Sequence, residues 1–335
     1  MDNSRLNFSS RGSQGELSGA GGAVKHLTRS SALTLLVGSA GLALPVRAAD
    51  LPVIRVGTNP VDSFAESFIG VDRGIFRDHG LDVQLETLSN GSTIAQAVIA
   101  GALDVGLANI VQVASAVAHG LPIQMIAPAA VYSEKHAYSQ LCVAKNSRVA
   151  TPKDLAGSTI AVSTLNDFNQ LGVSSWLESN GVPPSSVKFV EIKFPAMGPA
   201  LQRGTVQAAT IAEPALSDSI GAGQARAFAN AYSAIAPAFV AIVWFAGKSW
   251  IAKNPEAKKA LVSAIYATAR YANDHTAETA PILARAAKID PAVVAKMTRA
   301  FFATSYDPKQ IEPPLNFAFK YKLLTRPVTP AEIMA

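Results

Sequence analysis

The chain has 335 residues, 49% of them hydrophobic and 16% charged, which excludes a disordered protein and leaves room for one large core or two smaller ones. Its formal charge is +5, but the first 48 residues hold five Lys/Arg against two Asp/Glu, so the remainder carries 24 Lys/Arg and 22 Asp/Glu, a net +2. No Lys/Arg run or basic helix stripe is present, which argues against a nucleic-acid partner.

The N-terminal segment, residues 1–48, reads as an export signal. Lys25 and Arg29 precede the apolar run Ala32–Leu44, and Pro45 and the small-residue pattern Val46-Arg47-Ala48 follow it. A charged n-region, an apolar stretch too short to span a bilayer comfortably and a cleavage point near Ala48 are the expected parts. The Gly/Ser-rich stretch before Lys25 is long for such a signal, and a true start near Val24 would explain it. The single cysteine, Cys142, lies in the apolar run Leu141–Ala144. It has no partner for an internal disulfide and is expected to be a buried thiol.

Beyond the leader, strands and helices alternate. Val53–Gly57 predicts a strand, Ser63–Asp72 a helix, and Gly80 a helix cap. In "LDVQLET", Leu81, Val83 and Leu85 alternate with polar residues, as in a half-buried strand. Ser89-Asn90-Gly91-Ser92 opens an apolar helix that ends near Gly101. Asp104–Leu107 predicts a strand stopping at Ala108-Asn109, Val111–His119 a helix, and "LPIQMIAPAAV" a strand.

A second set starts near Ser139 with the strand "LCVA". Thr151-Pro152-Lys153-Asp154 is a helix start. "STIAV" predicts a strand ending at Ser163-Thr164, Asn166–Asn180 a helix, "VKFVEIK" a strand, Met197–Arg203 a helix, and "QAATI" a strand ending at Glu213-Pro214. "FVAIVWFAG", Phe239–Gly247, predicts one buried strand. From Pro255 the pattern is helical, with Ala260, Leu261, Ala264, Ile265, Thr268 and Ala269 on one face. A short helix over Pro281–Lys288 follows, then another from Asp290-Pro291 that turns Val293, Val294, Met297 and Phe301 inward. The alternation predicts an α/β fold with mostly parallel sheets flanked by helices. Two lobes follow, one of residues 50–138 plus 246–335 and one of 139–245, joined by crossings near Tyr132–Ser139 and Trp244–Ser249.

The blocks "VDRGIFRDHGLDVQLETLSNGSTIAQAVIAGALDVGLAN", "TPKDLAGSTIAV" and "KNPEAKKALVSAIYATARYANDH" together resemble periplasmic substrate-binding proteins of the nitrate, sulfonate and taurine importers. The likeness runs from about Val53 to Asp274. It implies the two-lobed periplasmic-binding-protein fold (type II) with two hinge crossovers, a periplasmic location, a monomer and delivery of solute to an ABC permease. Two places depart from the pattern. Gln207 in "GTVQAA" stands where relatives often carry an acid, and Gly57–Pro60 is less aromatic than many first loops.

In open α/β sheets, ligands bind at the C-terminal ends of the strands. Here those ends supply Phe64 as an apolar wall or a core residue, the Asn90-Gly91-Ser92 helix start as a donor cluster in which Asn90 or Ser92 could instead only cap the helix, and Asn109 as a further donor or a turn residue. Thr164 and Asn166 open the facing helix, and Met197 offers an adaptable apolar surface. Glu213 either faces the cleft and favours a ligand with N–H groups, or only fixes the backbone before Pro214. His136 is expected in a solvated loop. Gly91→Val is expected to abolish binding by blocking close approach, with the fold intact.

No catalytic residue, metal site or cofactor is assigned. There is no G-x-S-x-G, H-E-x-x-H or P-loop pattern, and the five histidines, at 26, 79, 119, 136 and 275, are scattered. The leading expectation is a receptor that traps a small polar organic solute or oxyanion: a sulfonate, taurine, nitrate, an aromatic carboxylate or a thiamine-type pyrimidine. A thiamine-pyrimidine synthase sharing the fold and a periplasmic sensory module are the alternatives.

Overall fold

The computed structural model describes residues 51–335; the expected export signal lies outside them. The first set runs β1 (Val53–Thr58), a 3-10 turn over Asp62–Phe64, α1 (Ala65–Asp72), α2 (Ile75–Asp78), β2 (Asp82–Thr87), α3 (Gly91–Ile99), β3 (Val105–Asn109), α4 (Ile110–Ala118), β4 (Ile123–Pro128) and β5 (Ala130–Ser133). The second comprises β6 (Ser139–Ala144), β7 (Thr159–Val162), α5 (Phe168–Ser179), β8 (Lys188–Glu191), α6 (Phe194–Gln202), β9 (Ala208–Ala212), α7 (Ala215–Gly221) and β10 (Ala225–Ala229). Then come β11 (Ala238–Val240), β12 (Ile242–Gly247), α8 (Lys248–Lys253), α9 (Pro255–Asp274), α10 (Thr276–Ala287), α11 (Pro291–Val294), β13 (Phe301–Phe302), α12 (Glu312–Lys320) and α13 (Pro330–Ile333). Among the described residues, no helix is long and apolar enough to cross a membrane.

Two five-stranded sheets share one plan. The first has the order β2-β1-β3-β12-β4, the second β8-β7-β9-β6-β10. In each, four strands run in one direction and one strand from outside the local βα series inserts antiparallel: β12 between β3 and β4, and β6 between β9 and β10. The inserted strand carries the chain from one sheet's neighbourhood to the other's. This is the two-lobed α/β fold.

Residues on the two faces of β6 fall into separate cores, as a period of two requires. Cys142 packs with Met197, Leu201 and Ile211, whereas Leu141 and Val143 pack with Ile160, Val173 and Leu177. Around the first sheet, Val56, Leu107, Ile126 and Phe245 join one core with Leu261, Ile265 and Leu283 of α9 and α10. The inward face expected for α9 is buried at Leu261, Ala264, Ile265, Thr268 and Ala269, with Ala260 half-buried.

Several boundaries differ from expectation. "FVAIVWFAG" is two strands. β11 pairs with β5, Phe239 opposite Tyr132, while β12 enters the first sheet, Trp244 opposite Leu107. The break falls at Ala241, whose amide donates to the Ala130 carbonyl and whose carbonyl accepts from the Ile110 amide. "LPIQMIAPAAV" divides likewise into β4 and β5 at Ala129, whose amide donates to the Ile242 carbonyl. The chain therefore returns to the first sheet before Ile242, between β10 and β11, and not at Trp244–Ser249 as expected. Pro281 lies inside α10, and Phe301 sits in β13, where it is exposed and tilts over His136 at 5.3 Å between ring centroids. Gln207 secures a strand entry: its Oε1 accepts from the Thr159 amide at 2.9 Å.

Candidate functional site

A cavity of about 420 Å³ is lined by residues from the strand ends of both sheets. Five helices, α3 to α7, begin at its wall, and side-chain caps fix the starts of three of them. Asn90 Oδ1 accepts from the Thr93 amide at 2.9 Å and starts α3. Asn109 Oδ1 accepts from the Gln112 amide at 2.9 Å, while the Asn109 amide donates to Gln112 Oε1, closing a capping box on α4. Asp167 Oδ1 accepts from the amides of Asn169 and Gln170 at the head of α5. α6 starts at Phe194, with Pro195 in its first turn. Helix starts present free amides and the positive end of the helix dipole, so the wall favours negative charge or strong acceptors.

Asp167 is the exception to that polarity. It is fully buried, and its Oδ2 also accepts from Asn169 Nδ2 and Ser163 Oγ. Burial pushes its carboxyl up to about 6 against the pull of those donors. Lys193, exposed, also lines the cavity at the residue before α6. The rest of the wall is largely apolar: Phe64, Leu88, Phe168, Phe194, Ile242 and Ile289, with the rings of Tyr138 and Tyr232.

Of the residues expected from sequence, the structure brings Phe64, Asn90, Gly91, Asn109 and Thr164 to this cavity. Four others are elsewhere. Ser92 lies off the lining, its hydroxyl accepting from Gln112 Nε2 at 2.9 Å. Asn166 is exposed in a left-handed conformation, φ 56°, and precedes the helix it was expected to open; Asp167 is the cap instead. Met197 is fully buried, because α6 starts three residues early and puts Met197, Ala200 and Leu201 on its core face. Glu213 sits between lining residues, but its carboxylate accepts from the Ser217 amide and hydroxyl at 3.0 and 2.8 Å, which is the backbone-fixing alternative. His136 touches the Arg299 carbonyl, away from the cavity lining.

Gly91 also differs from expectation. A Cβ there would meet Gln112 Oε1 and approach Ala108 Cβ and Cα to 3.0 and 3.2 Å. The bare position thus lets α3 pack on the β3–α4 junction, and Gly91→Val would disturb the fold itself.

Sequence reasoning missed Tyr138, Gln112, Tyr232 and Ile289. Tyr232 comes from a 3-10 turn after β10, and Ile289 follows the end of α10. Neither has a local motif. Tyr138 stands at the first crossing, which marked its region but not its role.

A family model described as NMT1/THI5 like matches residues 62–279, well over half of the chain. The chain belongs to the NMT1/THI5-like family. A relative within reach of sequence comparison is the taurine-binding periplasmic protein of Escherichia coli (strain K12), 26% identical over 253 residues and covering 72% of each chain. Among solved structures, the alkanesulfonate-binding protein SsuA from Xanthomonas axonopodis pv. citri, bound to MOPS, superposes with a TM-score of 0.71 at 17% identity, over 86% of this chain and 99% of that one. The desulfurization enzyme DSZB gives a TM-score of 0.63 at 17% identity, over 85% and 96%. At such identities the superpositions establish the NMT1/THI5-like chain's two-lobed fold. That fold hosts binding proteins and at least one enzyme, so function must be argued from the site.

Proposed function

We propose that this protein is an extracytoplasmic solute receptor that works as a monomer in the periplasm, closes two lobes on a small organic solute or oxyanion, and hands it to an ABC permease. The observation that carries the reading is the cavity itself: strand ends and helix starts from both sheets meet around one space. The lobes are the two sheets with their helices, hinged where the chain crosses at 133–139 and 229–238. A ligand touching both walls binds the closed form better than the open one and so shifts the population toward closure.

The groups at the wall suit binding. Caps hold the Asn90, Asn109 and Asp167 side chains in place, and Asp167 spends its lone pairs on α5. Cys142, the one thiol, is buried in the second sheet, and burial pushes it up to about 12, far from a reactive thiolate.

Thermal melting with taurine, alkanesulfonates, aryl acids and nitrate, paired with small-angle scattering, tests the reading. A solute at 100 times its Kd adds about 2.7 kcal/mol. With about 2.1 cal/mol/K of unfolding entropy per residue, that raises the Tm of a domain this size by roughly 4–5 °C. The radius of gyration should fall with the same solute. A solute that raises Tm without compaction would remove lobe closure, and no response to any of them would remove the receptor.

A further inference from the structure

The cavity's size and its unspent hydrogen-bonding groups narrow the ligand. At about 420 Å³ the cavity falls in the range of pockets that hold small organic ligands. A four-atom oxyanion would leave most of that space as water against Phe64, Phe168, Phe194, Tyr232 and Ile289, an unfavourable way to fill an apolar wall. Ligands that fit such pockets bury most of their own surface against apolar lining and use few polar anchors.

The anchors present are mainly donors. The Gly91 amide, first in the nine-residue α3, has no helical acceptor. Asn109 is 7% exposed; its Oδ1 is committed to the α4 cap, and its Nδ2 has no partner among the described residues. Ser63, 4% exposed, keeps a hydroxyl without a partner among the described residues. The lining carboxylate, Asp167, already accepts from Asn169 N, Gln170 N, Asn169 Nδ2 and Ser163 Oγ. An anionic head finds free donors, whereas an ammonium finds no carboxylate with spare capacity.

We infer, resting on the receptor reading above, that the cleft takes a mono-anionic organic acid, carboxylate or sulfonate, on an apolar and preferably aromatic body, and that it discriminates against taurine and nitrate. The acid group sits at Gly91, Asn109 and Ser63, and the body lies on Phe168, Phe194 and Tyr232. Taurine fails on its ammonium and short body, nitrate on its size.

Isothermal titration of the protein with benzenesulfonate, benzoate, taurine, nitrate and benzyl alcohol decides this. Benzenesulfonate or benzoate should bind at least 100-fold tighter than taurine, nitrate or benzyl alcohol. Asn109→Asp keeps a good cap on α4 but puts an acceptor where the free NH₂ stands, so it should weaken the aryl acid at least tenfold with an unchanged melting point. Phe194→Ala should weaken the aryl acid as well. If either variant melts early, the ligand ranking on the unaltered protein decides alone. Taurine or nitrate binding as tightly as the aryl acids would overturn the inference and leave a receptor standing. Failure of both aryl acids to bind would also overturn it. The receptor falls only if, in addition, alkanesulfonates, taurine and nitrate change neither melting nor scattering.

Discussion

Glu66 illustrates how far one side chain can depart from its ordinary chemistry. It sits on α1 with no exposed surface, and its Oε2 accepts from Trp244 Nε1 at 2.6 Å, while Oε1 has no hydrogen-bond partner. Burial without a cation pushes its pKa from the ordinary 4.5 up to about 8. The folded protein therefore holds a proton that the unfolded chain releases above pH 4.5. Stability from this group is full below about 4.5, falls as pH rises, and is gone above about 8. The steepest slope is about 1.4 kcal/mol per pH unit. Glu66→Gln keeps the acceptor for Trp244 and cannot ionise. Urea unfolding at pH 5.5, 6.5 and 7.5 should show the variant gaining on the parent at each step, by about 2–3 kcal/mol over the whole span. Parallel stability curves for the two proteins would mean that Glu66 does not keep its proton in the fold.

At the scale of elements, the helix starts make the cleft, and small residues let them come together. A methyl group at Gly91 collides with Gln112, which holds the α4 capping box and bonds Ser92, and crowds the Ala108 backbone. Gly91→Ala should cost about 1–3 kcal/mol, the usual penalty of overpacking, read as a shift in the urea midpoint at constant slope. An unchanged midpoint would show that α3 yields freely. Much of this level was legible in the sequence. Period-two and period-3.6 patterns placed β2, α3, β3 and the inward face of α9, and turn residues marked Asn90, Gly91, Asn109 and Thr164. What escaped has physical reasons. A run such as "FVAIVWFAG" is apolar throughout, so nothing local shows where the chain leaves one ladder for another at Ala241. Asn166 and Asp167 are both good caps, and only the tertiary position of α5 chooses between them. Pro195 pre-sets a helix start that hid Met197 on the buried face. Tyr232 and Ile289 reach the cavity by way of strand order and helix packing, which one stretch of sequence does not encode.

At the scale of the whole molecule, three distant segments meet at Asp62. This fully buried carboxylate pairs with Arg299 Nε at 2.8 Å and accepts from the Ala300 amide, which ties the C-terminal segment to the start of α1. The Asp62 amide donates to the Glu213 carbonyl at 3.1 Å, which ties the same point to the end of β9 in the second sheet. Arg299 also bonds the Thr276 carbonyl at the head of α10. These bonds make Asp62 a fixed point shared by the first sheet, the second sheet and the C-terminal segment. Burial pushes the Asp62 carboxyl up, and Arg299 opposes that shift. Removing the arginine strands a buried charge, so Arg299→Ala should destabilise by about 3–5 kcal/mol. Adding Asp62→Asn to Arg299→Ala removes the stranded charge and should recover part of that loss, because the charge rather than the missing contact sets the cost. Chemical denaturation of the single and double variants measures both steps. If the double variant is no more stable than Arg299→Ala alone, the pair acts through packing, and the fixed point lies in the apolar contacts around it.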